Sequence, residues 1–485
     1  MLKYYSSDNL GMESSIIRDD VVREGLEYAC ITESLLDRFL RTKPTSLLIR
    51  GPPGSGKTTL ALELLKASNR AGYYISTRVS LKKIKEQFPW IADLLKDEYT
   101  VNKDYNVNGN DDGSIPVVDA RLGSAKGVLE RVLDFILMHG DSVIILDSWD
   151  AIAKEADKNE RLKAEKSMVY MSDANNGLLI FISEEPEENT VSYLVDGVIT
   201  LDMEYRDGFR MRKMRFDKMR GVEVKHSIVP YTLKGSRFIP LPVGINYSYP
   251  EHPRYFERID AGEGLISTGS KDLDEALYGG IKKGSIILLE RDQSVSKVYI
   301  THILSSLVLN SLRSGIPTFT TPAPYVPLKS IMKYVRPFCK AEELNLYTVF
   351  TKNDEYDESI NVCKLTNDAR FNVNQTCNLY MNAISKHSCA VLTCDTSLAT
   401  VHYDLDDVLN GIKKVKASDG ILLMISNKDS PLFNAVQSVA DIHIKMWEEN
   451  GVTMLRLVRP YNGVYAMLLE SSIKGYPSYR LIEVV

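Results

Sequence analysis

The stretch of sequence that decides the fold is one octapeptide, Gly51-Pro52-Pro53-Gly54-Ser55-Gly56-Lys57-Thr58. It fits the pattern G-x-x-x-x-G-K-[ST] at every position, which is typical of a phosphate-binding loop, or P-loop. Before it, Ser46–Arg50 has the apolar pattern of a buried strand, and after it Thr59–Ala67 consists largely of good helix formers. A strand, this loop and a helix in that order predict a site for a nucleoside triphosphate.

Each residue type in the loop suits the binding of a triphosphate. Glycine lets the backbone wrap tightly, so that several N–H groups can converge on the phosphates. Lys57 is expected to bridge the β- and γ-phosphates, and the Thr58 hydroxyl to bind Mg²⁺. The helix that follows directs its positive N-terminal end at the same point. We therefore predict that ATP and Mg²⁺ are bound by Gly51, Pro52, Pro53, Gly54, Ser55, Gly56, Lys57, Thr58 and Thr59.

Asp147 is predicted to supply a carboxylate to the same Mg²⁺ ion. It ends the apolar run Val143–Leu146, and ligands of open parallel sheets bind at the carboxyl ends of the strands. An apolar strand that ends in aspartate is common by itself, so this prediction depends on the P-loop. Together with Lys57, Asp147 is a candidate catalytic residue.

The apolar runs of the first half predict an α/β fold. Four runs are apolar on both faces and alternate with helical patterns, which favours a parallel sheet covered by helices on both sides. These runs are Ser46–Arg50, Tyr73–Ser76, Val143–Leu146 and Leu178–Ile182. From Val198 the pattern changes to strands joined by turns, which predicts a meander that extends the sheet.

The second half of the chain repeats the first, which indicates an internal duplication and two tandem domains. Four segments match in the same order: Leu273–Leu277 resembles Leu35–Phe39, Ala390–Thr396 resembles Val143–Ser148, Ala440–Ile442 resembles Val195–Val198, and Leu457–Pro460 resembles Lys218–Gly221. We predict a polar tail at 1–18, a first domain at 19–240, a proline-rich linker at 241–260 and a second domain at 261–485.

The P-loop of the second domain is predicted to be degenerate. When Lys297 is aligned with Lys57, the three glycine positions and the threonine position are held by Arg291, Ser294, Ser296 and Val298. Without the glycines and the metal-binding hydroxyl, this loop is not expected to bind MgATP in the usual way. Lys297 and Asp395 are then relics or structural residues.

The overall composition argues for a soluble protein. Of the 485 residues, 44% are hydrophobic and 25% are charged, close to the average of soluble globular proteins. The formal net charge of -5 argues against a protein whose whole surface binds nucleic acid or an anionic membrane. No apolar run is long enough to span a bilayer, and the N-terminus lacks the apolar core of a secretory signal. The six cysteines lack metal-site spacing, so we predict free thiols and a cytoplasmic location.

Several features together resemble the KaiC branch of the RecA superfamily: the P-loop, the strand before Asp147, the duplication, and the segment Phe216–Gly221 followed by Tyr231 and Pro240. In KaiC-like proteins a Lys-x-Arg on this strand reaches the nucleotide of a neighbouring subunit. The resemblance therefore implies catalytic roles for Lys218 and Arg220, and a homo-oligomeric ring. The segment Arg206–Arg215 is also basic, so a solvated basic edge strand stays open as the alternative.

One position departs from the pattern of RecA-like ATPases. These enzymes usually carry an acidic residue after the second strand, where it orients the attacking water, whereas Ser76-Thr77-Arg78 has none. Glu184 or Glu185, after the fourth strand, could substitute, although the acidic run Glu184–Glu188 also fits a solvated turn. Because such a carboxylate contributes about 10²–10⁴-fold, hydrolysis is expected to be slow.

In the P-loop half, Tyr73–Ser80 with Gln87–Trp90 more closely resembles the archaeal gas-vesicle regulator GvpD and its relatives. We therefore expect an ATP-dependent regulatory switch that acts on a protein partner, such as a transcription or signalling regulator. A DNA-acting RecA-type recombinase is the first alternative, although Ala153–Met168 has mixed charge rather than the basic character of a DNA-binding loop. A P-loop kinase is the second alternative, and it lacks an obvious lid.

Overall fold

The computed structural model describes residues 35–97, 115–120, 125–154, 157–184, 190–244, 247–323, 325–396 and 405–485. The predicted tail at 1–18 lies outside the described residues. The chain divides into two compact units, Met1–Leu241 with Val485, and Pro242–Val484. Residues 242–260 of the predicted linker belong to the second unit, where Phe256 is buried and its N–H donates a 2.9 Å hydrogen bond to the Phe338 carbonyl oxygen.

The first unit is built on one sheet of ten strands. They are β1 (Ser46–Arg50), β2 (Ala71–Ser76), β3 (Leu95–Asp97), β4 (Ile115–Asp119), β5 (Ser142–Asp147), β6 (Leu178–Ser183), β7 (Gly197–Arg206), β8 (Phe209–Met219), β9 (Ile228–Thr232) and β10 (Ile239–Pro240). Their order is β10-β9-β8-β7-β1-β6-β5-β2-β4-β3. The strands from β7 to β3 pair in parallel, and β7 to β10 form the antiparallel meander expected from the sequence.

Helices cover both faces of this sheet. They are α1 (Leu35–Arg41), α2 (Lys57–Ser68), α3 (Leu81–Gln87), α4 (Ala125–His139), α5 (Trp149–Ala153), α6 (Lys158–Ala174) and α7 (Thr190–Leu194). Side chains of β1 alternate between the two cores: Leu47 and Ile49 pack with the leucines of α2, and Leu48 packs with α4 and α6. Burial on both faces explains why the centre of β1, Leu47–Ile49, is apolar without interruption.

The second unit contains another ten-stranded sheet and a small two-stranded one, β11 (Leu265–Ile266) with β12 (Ile281–Lys282). The large sheet consists of β13 (Ile286–Arg291), β14 (Thr318–Thr321), β15 (Tyr347–Thr351), β16 (Asn361–Lys364), β17 (Val391–Asp395), β18 (Ile421–Ser426), β19 (Ile442–Glu449), β20 (Val452–Arg459), β21 (Val464–Leu469) and β22 (Tyr479–Val484). Its helices are α8 (Lys271–Ala276), α9 (Lys297–Arg313), α10 (Leu328–Lys333), α11 (Ala341–Leu344), α12 (Ala369–His387), α13 (Leu405–Lys416), α14 (Phe433–Val439) and α15 (Ser471–Lys474).

The two large sheets share one topology. The order in the second is β16-β15-β14-β17-β18-β13-β19-β20-β21-β22, so eight successive strands match β2-β5-β6-β1-β7-β8-β9-β10 of the first. The sheets differ at their parallel edges. In the first unit the outermost strand, β3, precedes its neighbour β4 in the chain, whereas in the second unit the outermost strand, β16, follows its neighbour β15. The predicted fold class, two tandem RecA-like α/β domains, is confirmed. Among the helices that the structure describes, none is both long and apolar enough to cross a membrane.

Candidate nucleotide-binding site

The loop between β1 and α2 curls through three glycines with positive φ: Gly51 at 151°, Gly54 at 77° and Gly56 at 91°. A Cβ atom on Gly51 would lie 2.2 Å from the Leu201 carbonyl oxygen, and one on Gly56 would lie 2.8 Å from the Leu233 side chain. A Cβ on Gly54 would meet no described atom within 4 Å. The first and third glycines therefore permit close packing, and the second lies at an open part of the curl.

Lys57 holds the curl together. Its Nζ donates hydrogen bonds of 2.8 Å and 2.9 Å to the carbonyl oxygens of Gly51 and Pro52. Burial lowers the pKa of the Lys57 ammonium, and attraction by Glu184 and then Asp147 opposes that shift. Lys57 is only 7% exposed, and its hydrogen bonds hold the ammonium inside the loop, where a phosphate would need it.

Thr58 and Asp147, the predicted Mg²⁺ ligands, lie in contact. The Thr58 hydroxyl donates a 2.6 Å hydrogen bond to Oδ2 of Asp147, and the Tyr74 hydroxyl donates one of 2.7 Å to the same oxygen. Burial raises the pKa of Asp147, while both hydrogen bonds and the charge of Lys57 act against that rise. Tyr74 was not singled out from the sequence, because a tyrosine within a buried strand carries no signal of its own.

The other predicted loop residues also fit a bound phosphate chain. Pro53 and Gly54 are exposed at the tip of the loop, and Thr59 is buried in the first turn of α2. Ser55 is buried, and its hydroxyl has no hydrogen-bond partner among the described residues, while its carbonyl accepts a bond from the Tyr231 hydroxyl. An unsatisfied buried hydroxyl inside a P-loop suits a phosphate oxygen, because buried polar groups are nearly always paired.

Glu184, which follows the strand beside the P-loop, contacts two other charged residues, Arg78 and Asp150. The Glu184 carboxylate forms an ion pair with the Arg78 guanidinium, and the Glu184 N–H donates a 2.6 Å hydrogen bond to Asp150. Asp150 is 1% exposed and also accepts a 3.1 Å bond from the Ser183 hydroxyl. Glu184 thus belongs to the site, whereas residues 185–189 lie outside the described part of the chain. No sequence motif marked Asp150.

Lys218 and Arg220 lie at the other end of the strands. The Lys218 ammonium donates to two carbonyl oxygens of α7, and Arg220 forms a 3.1 Å ion pair with Asp196. The Asp196 N–H bonds the carbonyl oxygen of Ser46, the first residue of β1, whereas the P-loop follows the last residue. At about 3.3 Å per residue, β1 separates the two ends by roughly 16 Å. The structure therefore does not bring this pair to the P-loop of its own chain, and its predicted role on a neighbouring subunit stays a prediction.

The corresponding loop of the second unit is organised differently. Lys297 begins α9, but its ammonium lies 4.4 Å from the centre of the Tyr325 ring. The Asp292 carboxylate accepts hydrogen bonds of 2.9 Å and 2.8 Å from the N–H and the hydroxyl of Ser294. Val298 follows the lysine and offers no hydroxyl. That this loop does not bind MgATP in the usual way stays a prediction.

The curled glycine loop, the buried lysine and the threonine–aspartate contact define the first unit as a P-loop nucleotide-binding domain. Residues 36–217 match the family described as GvpD gas vesicle protein, P-loop domain. Protein GvpD1 of Halobacterium salinarum is 26% identical to this chain over 278 residues, 53% of this chain and 50% of GvpD1. Protein GvpD2 of the same organism is 26% identical over 301 residues, 57% of each chain.

The chain spans about half the length of the curated relatives it matches. The matched region includes β1, the P-loop and the strand that ends in Asp147. The expected relationship to GvpD-like P-loop proteins is therefore confirmed, and the match to the family's P-loop domain lies within the first unit.

Proposed function

We propose that this chain is an ATP-binding regulatory protein of the GvpD and KaiC type, in which bound MgATP changes a contact surface for a protein partner. The observation that carries the proposal is the hydrogen bond between Thr58 and Asp147, beside a loop curled around the Lys57 ammonium. Magnesium prefers oxygen ligands, and this pair offers it a hydroxyl and a carboxylate at one point. Bound magnesium would neutralise charge on the phosphates.

Nucleotide binding changes hydrogen bonds that hold the loop in its present form. The phosphates compete with the carbonyl oxygens of Gly51 and Pro52 for the Lys57 ammonium. The loop in turn contacts the meander, because the Ser55 carbonyl accepts a hydrogen bond from Tyr231 on β9. A ligand shifts a conformational equilibrium only when it binds one state better than the other. The proposed switch requires a second state of the loop and the meander, in which these hydrogen bonds are rearranged and which ATP binds better.

The proposal extends to partners and assembly. We infer a protein partner such as a transcription or signalling regulator, a homo-oligomeric ring by resemblance to KaiC, and a cytoplasmic location. The second unit, whose loop lacks the glycines and the metal-binding hydroxyl, suits a role as a scaffold or partner-binding module.

A pull-down from cell extract tests this proposal. The tagged full chain is incubated without nucleotide, with ADP, and with a slowly hydrolysed ATP analogue, and captured proteins are quantified by mass spectrometry. We expect the recovery of at least one partner to change when the ATP analogue is present. With the Lys57→Ala variant, recovery of that partner should be the same under all three conditions. Recovery of one constant set of proteins under all three conditions would contradict the switch.

A further inference from the structure

We propose that the site hydrolyses its bound ATP, with Glu184 as the catalytic carboxylate that accepts a proton from the attacking water and Arg78 as its positioning residue. The inference rests on the proposed binding of ATP. Glu184 would take the role of the acidic residue that RecA-like ATPases usually carry after the second strand, where Ser76-Thr77-Arg78 has none.

Strand pairing places Glu184 at the start of the P-loop. Ser183 pairs with Arg50 in the parallel register of β6 and β1, and the Gly51 N–H donates a 3.2 Å hydrogen bond to the Ser183 carbonyl oxygen. Glu184 is the next residue of the chain. Of the carboxylates that attract the Lys57 ammonium, Glu184 acts most strongly. Glu184 therefore lies at the same end of the sheet as the group expected to hold the phosphates.

The backbone and the side chain of Glu184 are held separately. The Glu184 N–H is fixed by its 2.6 Å hydrogen bond to the buried Asp150 carboxylate. The Glu184 carboxylate is held by the guanidinium of Arg78, which follows β2. The Glu184 side chain is 28% exposed and that of Arg78 is 44% exposed, so water can reach both. This arrangement orients a carboxylate without burying it.

The neighbouring carboxylates are committed to other contacts. One oxygen of Asp147 already accepts hydrogen bonds from Thr58 and Tyr74. Asp150 is buried, and its two oxygens accept bonds from the Ser183 hydroxyl and the Glu184 N–H. Glu184 is therefore the carboxylate of this group that combines solvent access with a position beside the loop.

The reaction balances with water as the co-reactant. The water oxygen forms a bond to the γ-phosphorus of ATP, while one water proton passes to the Glu184 carboxylate. The bond from the γ-phosphorus to the β–γ bridging oxygen breaks, and its electron pair stays on ADP. Glu184 then releases the proton to bulk water, which regenerates the carboxylate and leaves ADP, phosphate and one proton.

Glu184→Gln separates catalysis from binding, because the amide keeps the size of the side chain and cannot accept the proton. We expect kcat to fall by about 100-fold or more, while affinities for a fluorescent ATP analogue and for ADP stay within about threefold. After mixing with ATP, the variant should retain intact ATP where the wild type retains ADP. Glu130→Gln, an exposed carboxylate of α4, is the matched control and should match the wild type.

Arg78 variants test the positioning role. Arg78→Ala should lower kcat with little change in ADP affinity, and Arg78→Lys, which can keep the ion pair, should restore most of the rate. Wild-type binding without hydrolysis, or an unchanged rate in Glu184→Gln, would overturn the inference and leave the proposed binding function intact. Absence of ATP binding by the wild type would overturn both. Loss of affinity in Glu184→Gln and Glu184→Ala alike would assign Glu184 to binding instead of catalysis.

Discussion

Thr58 and Asp147 lie 89 residues apart in the chain, and a 2.6 Å hydrogen bond joins the threonine hydroxyl to the aspartate carboxylate. Thr58 is the second residue of α2 and Asp147 the last residue of β5, so the contact depends on the packing of that helix against the sheet. Tyr74 donates a second hydrogen bond to the same carboxylate oxygen from β2. Three elements thus converge on one oxygen at the carboxyl end of the parallel strands.

Thr58→Val should reduce the affinity for MgATP by about tenfold or more, equivalent to about 1.4 kcal/mol or more. Valine has nearly the shape of threonine and lacks the hydroxyl that we assign to the metal. The measurement is an ATP titration with Mg²⁺ and again with a chelator. Thr301→Val on α9 is the control, because its hydroxyl donates a 3.0 Å hydrogen bond to the Lys297 carbonyl oxygen of its own helix. Equal affinities of Thr58→Val and the wild type in Mg²⁺ would remove the metal-binding role.

Lys57→Ala should weaken ATP binding by about 100-fold or more, since the variant loses the positive charge inside the loop. The fold should persist, which circular dichroism can check, because the hydrogen bonds that Lys57 donates within the described part of the chain go to loop carbonyl oxygens. Lys297→Ala, at the equivalent point of the second unit, should leave ATP affinity unchanged. A comparable loss in both variants would show that the second unit takes part in binding.

Arg220→Ala should leave ATP affinity nearly unchanged and lower the hydrolysis rate by about tenfold or more, because an arginine supplied by a neighbour stabilises charge in the transition state. The rate is measured over a range of protein concentration, and the effect should appear only where the chain assembles. Arg210→Ala, on β8, the strand that ends just before Arg220, is the control for general loss of positive charge. An unaltered rate in assembled Arg220→Ala protein would refute action between subunits.

His302 should make the second unit sensitive to acid. Its ring nitrogens contact the Val298 carbonyl oxygen and the Ser471 hydroxyl, and burial lowers its pKa from 6.5 to about 4. The unfolded chain, with an ordinary histidine pKa, takes up a proton first as the pH falls. Stability is therefore retained above pH 6.5 and lost toward pH 4, by about 3 kcal/mol.

Urea unfolding between pH 4 and 7.5 measures this loss in the wild type and in His302→Gln. As the pH falls, the free energy of unfolding should decrease more steeply in the wild type than in His302→Gln. The wild type takes up one more proton on unfolding, at the His302 ring. His387→Gln, at the exposed end of α12, should follow the wild type. Parallel curves for the wild type and His302→Gln would show that this histidine does not carry the effect.

Much of the fold could be predicted because it depends on local patterns. The apolar run Ser46–Arg50 forms β1 within the predicted bounds, since five consecutive buried side chains leave few alternatives. The edge strand β3 and its neighbour β4 were not predicted, because each is short and gains its partners only from the sheet. The order of the strands in the sheet also could not be predicted, because it depends on how the long connections between strands cross the faces of the sheet.

The octapeptide at 51–58 by itself determined that a nucleotide site exists, because positive-φ glycines, an ammonium and a hydroxyl at fixed spacing suit few other purposes. Only the tertiary structure decided which distant groups join it. The ion pair of Glu184 with Arg78 joins residues 106 positions apart in the chain. Asp150, on α5, contacts the same glutamate by accepting a hydrogen bond from its N–H. Such contacts depend on how parallel strands end side by side, and no local stretch of sequence records that neighbourhood.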